Sequence, residues 1–221
     1  MAIAYDNATY SGQTGGTPAS ITYSHTVNSN TEGILWVNAI GNGVGANTFT
    51  QPTVTYNGVG MTFVTSLLSN TSVGVQWVFR LVAPASGANN VVVTQSGTPA
   101  QFLASYAISY TGVHQTAPVD QTATDASGTT LTGTATTTVS NDWGVLFAES
   151  QADITVGTGT TTRIDSTGPD NYVGDSNGPL NIGSNSMTVT QGTDTGGAIV
   201  IYFSPSAGGS SARRTLLGVG F

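Results

Sequence analysis

The sequence contains no cysteine and no lysine, and only 7% of its residues are charged. Without cysteine there is no disulfide, no thiolate nucleophile and no thiolate-ligated metal, so burial alone must stabilise the fold. A chain of 221 residues can manage this, since at that size roughly 70% of the unfolded surface is buried. The fixed cations are Arg80, Arg163, Arg213 and Arg214, set against 11 acids for a net charge of −7. Phosphate neutralisation needs clustered Lys and Arg, so a nucleic-acid partner is excluded. No apolar run approaches the ~18 residues of a membrane-spanning helix, which argues against a membrane role. The opening MAIAYDNATY has neither the basic nor the apolar stretch of a secretion signal, so no cleavable-signal export is expected.

What is present is glycine (29 residues), with Thr and Ser throughout and a hydrophobic share of 38% spread in short runs. Low charge with abundant β-formers is the opposite of the disorder signature. The stretch 101–110 alternates as a half-buried strand does. Phe102, Ala104, Tyr106, Ile108 and Tyr110 share one parity, and smaller residues mostly fill the other. The runs 34–40 (ILWVNAI), 143–148 (WGVLFA) and 198–203 (AIVIYF) are nearly continuous, as in strands buried on both faces. Asn57-Gly58 between alternating segments marks a two-residue hairpin. Roughly a dozen strands and no helical window predict an all-β protein. The reading is a single two-sheet antiparallel β-sandwich of jelly-roll type over residues 1–205. A spacer and C-terminal tail follow over 206–221. No internal repeat stands out.

Several phrases together, SHTV (24–27), VTYNGVGMT (54–62), LVAPASGANNVVVT (81–94), SYTGVHQTAPVD (109–120), GDSNGP (174–179) and AIVIYFSP (198–205), carry a resemblance. In order and spacing the chain resembles the jelly-roll, concanavalin A-like sandwich domains of bacteriophage virion proteins and bacterial surface proteins. The resemblance implies a fold and no catalytic residues, because one sandwich hosts many functions. A free-standing domain of this kind suits a non-enzymatic virion protein, most of all a capsid cement or decoration protein. It would be assembled in the host cytoplasm, placed on the capsid surface, and bound to the major capsid or another virion protein. A homo-oligomer is expected, a trimer first. The alternative is a carbohydrate-binding or adhesion module on a head, tail or fibre.

Candidate sites are sparse, and no cofactor is indicated. Asp165, Asp170 and Asp175, with Asn171 and Asn177, could offer oxygens to Ca²⁺, but the spacing is not that of a calcium loop and solvated turns are the plainer reading. His25 lies on the aromatic parity of its strand and reads as a hydrogen-bonded core or rim imidazole, His114 as an exposed one. Glu149 and Asp153 could share a strand face as a carboxylate pair only if the strand continued past Glu149. No nucleophile elbow is present. Trp36, Trp77 and Trp143 read as core, while Tyr10, Tyr23 or Tyr172 would be the sugar-stacking candidates. In the tail, Arg213 and Arg214 precede Leu216, Leu217, Val219 and Phe221. Those six residues are the expected interface, pairing as an edge strand with the same or a neighbouring protomer.

Overall fold

The structure, a computed structural model, describes residues 1–70, 74–166 and 171–207. The first half of the chain forms β1 (Ala4–Tyr10), β2 (Thr14–Gly15), β3 (Ser20–Val27), β4 (Ile34–Asn42), β5 (Thr53–Tyr56), β6 (Val59–Gly60), β7 (Thr62–Leu68), β8 (Gly74–Val82), β9 (Gly87–Thr94) and β10 (Phe102–Thr111). The second half forms β11 (Val119–Asp125), β12 (Thr130–Thr137), β13 (Trp143–Glu149), β14 (Ile154–Val156), β15 (Thr161–Ser166), β16 (Asn171–Asp175), β17 (Gly183–Gln191) and β18 (Gly197–Phe203). One 3-10 turn, Ala46–Thr48, interrupts the strands. The Asn-Gly hairpin forms as predicted between β5 and β6. Asn57 (φ 49°) and Gly58 (φ 75°) both take the left-handed conformation that the tight turn requires.

The protein is all-β, but it is not a single jelly roll. Four antiparallel sheets, ordered β1-β10-β4-β8-β7, β3-β9-β5-β6, β11-β18-β13-β16-β15 and β12-β17-β14, make two sandwich-like units. The two larger sheets, of six strands (β2 also pairs with β10) and five, face one another, and each is covered on its other side by a smaller sheet. Strand alternation builds this. Ile34, Trp36 and Ile40 of β4 meet Phe147, Ile199 and Phe203 across the middle layer. Leu35, Val37 and Ala39, on the opposite parity of β4, pack under Val54, Tyr56 and Val91 of the first outer sheet. On the far side Leu146, Val200 and Tyr202 do the same beneath Leu131, Met187 and Val189. The runs read as buried on both faces are the central strands β4, β13 and β18, and β10, read as half-buried, is buried on both faces as well. A two-sheet sandwich offers each strand one buried face; these strands need two.

The second correction concerns repetition. Replacing β1, β3, β4, β5, β7, β8, β9 and β10 by β11 to β18 in turn converts the strand order of the first half into that of the second. The outer-sheet registers match as well: Ser20 pairs with Thr94 and Val27 with Gly87, while Thr130 pairs with Thr190 and Thr137 with Gly183. Among the described residues no multi-residue ladder joins the halves; an isolated bridge between Val113 and Pro205, a few backbone hydrogen bonds and the side chains of the middle layer hold them together.

The middle layer has two distinct ends. At one, Ile34 pairs with Tyr110 and Trp143 with Phe203. There the Met1 amino group donates to Ser206 Oγ at 2.8 Å, and Ser206 Oγ donates to Glu32 Oε2 at 2.5 Å. The described residues end here, at Ala207. At the other, Asn42 pairs with Phe102 and Glu149 with Gly197. The ends are separated by the length of β4, roughly 26 Å at the rise of an extended strand.

Candidate functional site

At the Glu149 end the middle layer turns polar. Asn38 Nδ2 donates to Gln76 Oε1 at 3.0 Å, and Gln76 Nε2 crosses to Gly197 O at 2.8 Å. Beyond these groups a cleft of about 380 Å³ opens between the halves, with Gln13, Asn42, Val44, Gln101, Phe102 and Glu149 in its walls. Ser150 and Gln151 complete its second-half rim.

Three glycines place its side chains. The Cδ1–Cε1 edge of the Phe102 ring packs against Gly15, where an added Cβ would come within 2.8 Å of both atoms. Gln101 lies on Gly43 (φ +142°), where a Cβ would meet its side chain at 2.8 Å. Gly74 faces the Glu149 carboxyl group, and a Cβ there would sit 2.7 Å from both oxygens and 2.8 Å from Asn42 Oδ1. Backbone approach this close is what a glycine permits and no other residue does.

Glu149 is 3% exposed, and Oε1 has no hydrogen-bond partner among the described residues. Burial raises its pKa to about 7, with the Ser69 hydroxyl working the other way. Near neutrality the group is therefore poised between acid and carboxylate, able to donate as well as accept. Phe102 is 44% exposed and Val44 80%. The parity that placed Phe102 in the core fails because β10 begins there, past the edge of the packed layer.

The sequence-predicted residues are scattered. Asp175 is buried and accepts from Arg163 Nε at 2.8 Å and from Tyr110 OH at 3.0 Å. The Arg163 guanidinium also lies 4.0 Å over the Tyr5 ring. Asp175 pairs with Thr161 and Asp165 with Tyr172, four residues along β15, or roughly 13 Å apart. Asp170 lies outside the described residues, as do Arg213, Arg214, Leu216, Leu217, Val219 and Phe221. Among the described residues no group of three His, Cys, Asp or Glu is placed to hold a metal. β13 ends at Glu149, so exposed Asp153 shares no strand face with it.

His25 is a core imidazole. Nδ1 meets Thr9 Oγ1 at 2.9 Å, Nε2 meets Ser109 Oγ at 3.1 Å, and Ser109 donates to Asp6 at 2.7 Å. Burial lowers its pKa to about 4, with Asp6 opposing. The relay lies inside the first sandwich, where it orders packing. His114 Nδ1 accepts from the Ala117 N–H at 3.0 Å and so closes its own turn. The proposed stacking tyrosines are occupied: Tyr10 stacks on Tyr106 at 4.6 Å, Tyr23 bonds Ser105 at 2.9 Å, and Tyr172 is fully buried.

Sequence reasoning missed the cleft and one further pair, Asp120 and Asp142. Burial, then the neighbouring Asp120, raises the Asp142 pKa to about 7. Burial works against ionised Asp120 too, but donors from Thr138 hold it below the usual carboxylate range. The only signal for the cleft in the sequence was glycine at 15, 43 and 74, the first two beside polar residues, which is indistinguishable from ordinary turns and strand glycines.

No protein-family model and no curated protein matches the sequence. Among solved structures the chain is similar to a "Biofilm associated protein - BSP domain", at 7% identity and a TM-score of 0.29. The likeness covers 92% of this chain and 50% of that one, so the chain spans half the length of that structure.

Proposed function

We propose that the protein is a non-enzymatic structural component of a bacteriophage particle, a capsid decoration protein that stabilises the head shell. It would be assembled in the host cytoplasm, seated on the major capsid or another virion protein, and gathered as a homo-oligomer, a trimer first. The observation that supports this is the polarity of the molecule. The chain leaves the body beside Ser206, which is tied to Met1 and Glu32, while the cleft opens at the opposite end of the middle layer. The basic and apolar sequence that follows Ala207 suits attachment to a neighbour, with the cleft end facing outward. The finer resemblance to concanavalin A-like sandwiches of virion proteins belongs to this reading. Among the described residues no helix is long and apolar enough to cross a membrane.

The cleft favours a second reading, a carbohydrate-binding or adhesion module on a head, tail or fibre. Quantitative mass spectrometry of purified particles tests the first. The expected result is a copy number in fixed proportion to the major capsid protein. Absence from purified particles would overturn it.

A further inference from the structure

We propose that the cleft between the two halves binds one or two units of a neutral saccharide. In this site Phe102 is the stacking face, Gln101 and Asn42 are hydrogen-bonding amides, and Glu149 is the buried acid at the base. The inference rests on the second reading above.

The walls are built rather than incidental. Gly15 lets the Cδ1–Cε1 edge of the Phe102 ring rest against backbone, and the ring stays 44% exposed. An aromatic face held still in this way suits the flat C–H face of a pyranose, where apolar contact is gained without a flexible side chain being ordered. Gly43 fixes Gln101 beside the ring, and Asn42 stands next along β4. Each amide supplies two donors and an acceptor, matching vicinal hydroxyls that donate and accept.

Glu149 narrows the ligand class. Its Oε1 is buried without a partner among the described residues, and an unmet buried polar atom is costly until a donor arrives. A sugar hydroxyl is such a donor, and it brings no charge between Val44 and Phe102. The lining holds no Arg or His, so an anionic ligand finds no counter-charge. The volume, about 380 Å³, falls at the small end of ligand sites.

The test is saturation-transfer NMR on the full chain with glucose, galactose, mannose, N-acetylglucosamine, maltose, cellobiose and chitobiose as probes. Transfer to at least one sugar is expected. Phe102→Ala should weaken it at least about tenfold with unchanged melting, and Phe102→Trp should retain it. Because Phe102 is exposed, neither variant risks the fold. No transfer from any probe, or wild-type transfer in Phe102→Ala, overturns the site. Either result leaves the particle copy number free to judge the decoration proposal, since the assay uses isolated protein.

Discussion

Gln95 and Gln191 make the same three hydrogen bonds in the two halves. Their backbone N–H groups donate to Ala19 O at 2.9 Å and Thr129 O at 2.8 Å. Their Nε2 atoms donate to Pro18 O at 2.6 Å and Gly128 O at 2.8 Å. Their Oε1 atoms accept from the N–H five residues on, Ala100 at 2.6 Å and Gly196 at 2.9 Å. Each glutamine thereby staples the loop leaving an outer strand to the segment entering its partner. Truncation strands those backbone groups, and the cost grows with burial. Gln191 is 4% exposed and Gln95 is half-buried. Gln191→Ala is expected to cost about 2–3 kcal/mol and Gln95→Ala about 1 kcal/mol in urea unfolding. The reverse order would mean that the staples are not equivalent.

Stability should fall as pH rises from about 5 to about 8. Burial raises Glu149 and Asp142 to about 7, so the folded state holds protons there that the unfolded chain has released. Their penalty begins above the ordinary carboxylate range and is complete above about 7. His25, lowered to about 4, acts oppositely: between about 4 and 6.5 the unfolded chain takes up the proton, so that contribution rises with pH. Two groups outweigh one. For Glu149 alone the effect is on the order of 3 kcal/mol, and Glu149→Gln should flatten the decline of melting temperature. A wild-type protein that melts higher at about pH 8 than at about pH 5 would count against these assignments.

Arg163 compensates the buried charge of Asp175. Arg163→Met should destabilise by about 2–4 kcal/mol, because a carboxylate left alone in the interior is costly. Adding Asp175→Asn should recover most of that loss. If the double variant melts no higher than Arg163→Met, the ion pair is not what the arginine supplies.

Neither half should stand alone. Residues 1–114 would expose Ile34, Trp36, Ile40, Val78, Tyr106 and Ile108, all fully or almost fully buried in the whole chain. Expressed alone, that half should self-associate on size exclusion, and co-expression with residues 115–207 should restore a monomeric complex. A lone half that runs as a folded monomer would refute the shared middle layer.

Removing residues 208–221 keeps the Ser206 contacts with Met1 and Glu32. The truncated protein should melt unchanged and lose self-assembly and particle binding. Full occupancy on particles after truncation would remove the tail from the interface.

Much of this architecture was legible. Trp36 and Val200, each with apolar neighbours before and after, belong to strands buried on both faces, and a strand registers that condition directly in its composition. What those runs implied, two inner sheets rather than one, was not drawn from them, because periodicity reports burial and not which layer supplies it. The repeat escaped notice because equivalent positions preserve size and polarity and seldom identity. His25 occupies the register position of Ala135, and the runs that read alike are short, Val-Thr-Gln at 93–95 and 189–191 and Ser-Asn-x-x-Gly at 29–33 and 140–144. The cleft was illegible for a different reason: Gln13, Asn42, Phe102 and Glu149 come from four distant segments, and no spacing law links them.

The cleft draws Asn42 and Phe102 from one half and Glu149 from the other. A precursor made of a single half would have possessed neither the opening nor its chemistry, however well it folded. Such a site could come into being only when two copies met face to face, as separate chains or in one. The opening therefore exists only where the two halves meet, and a change on either side alters it.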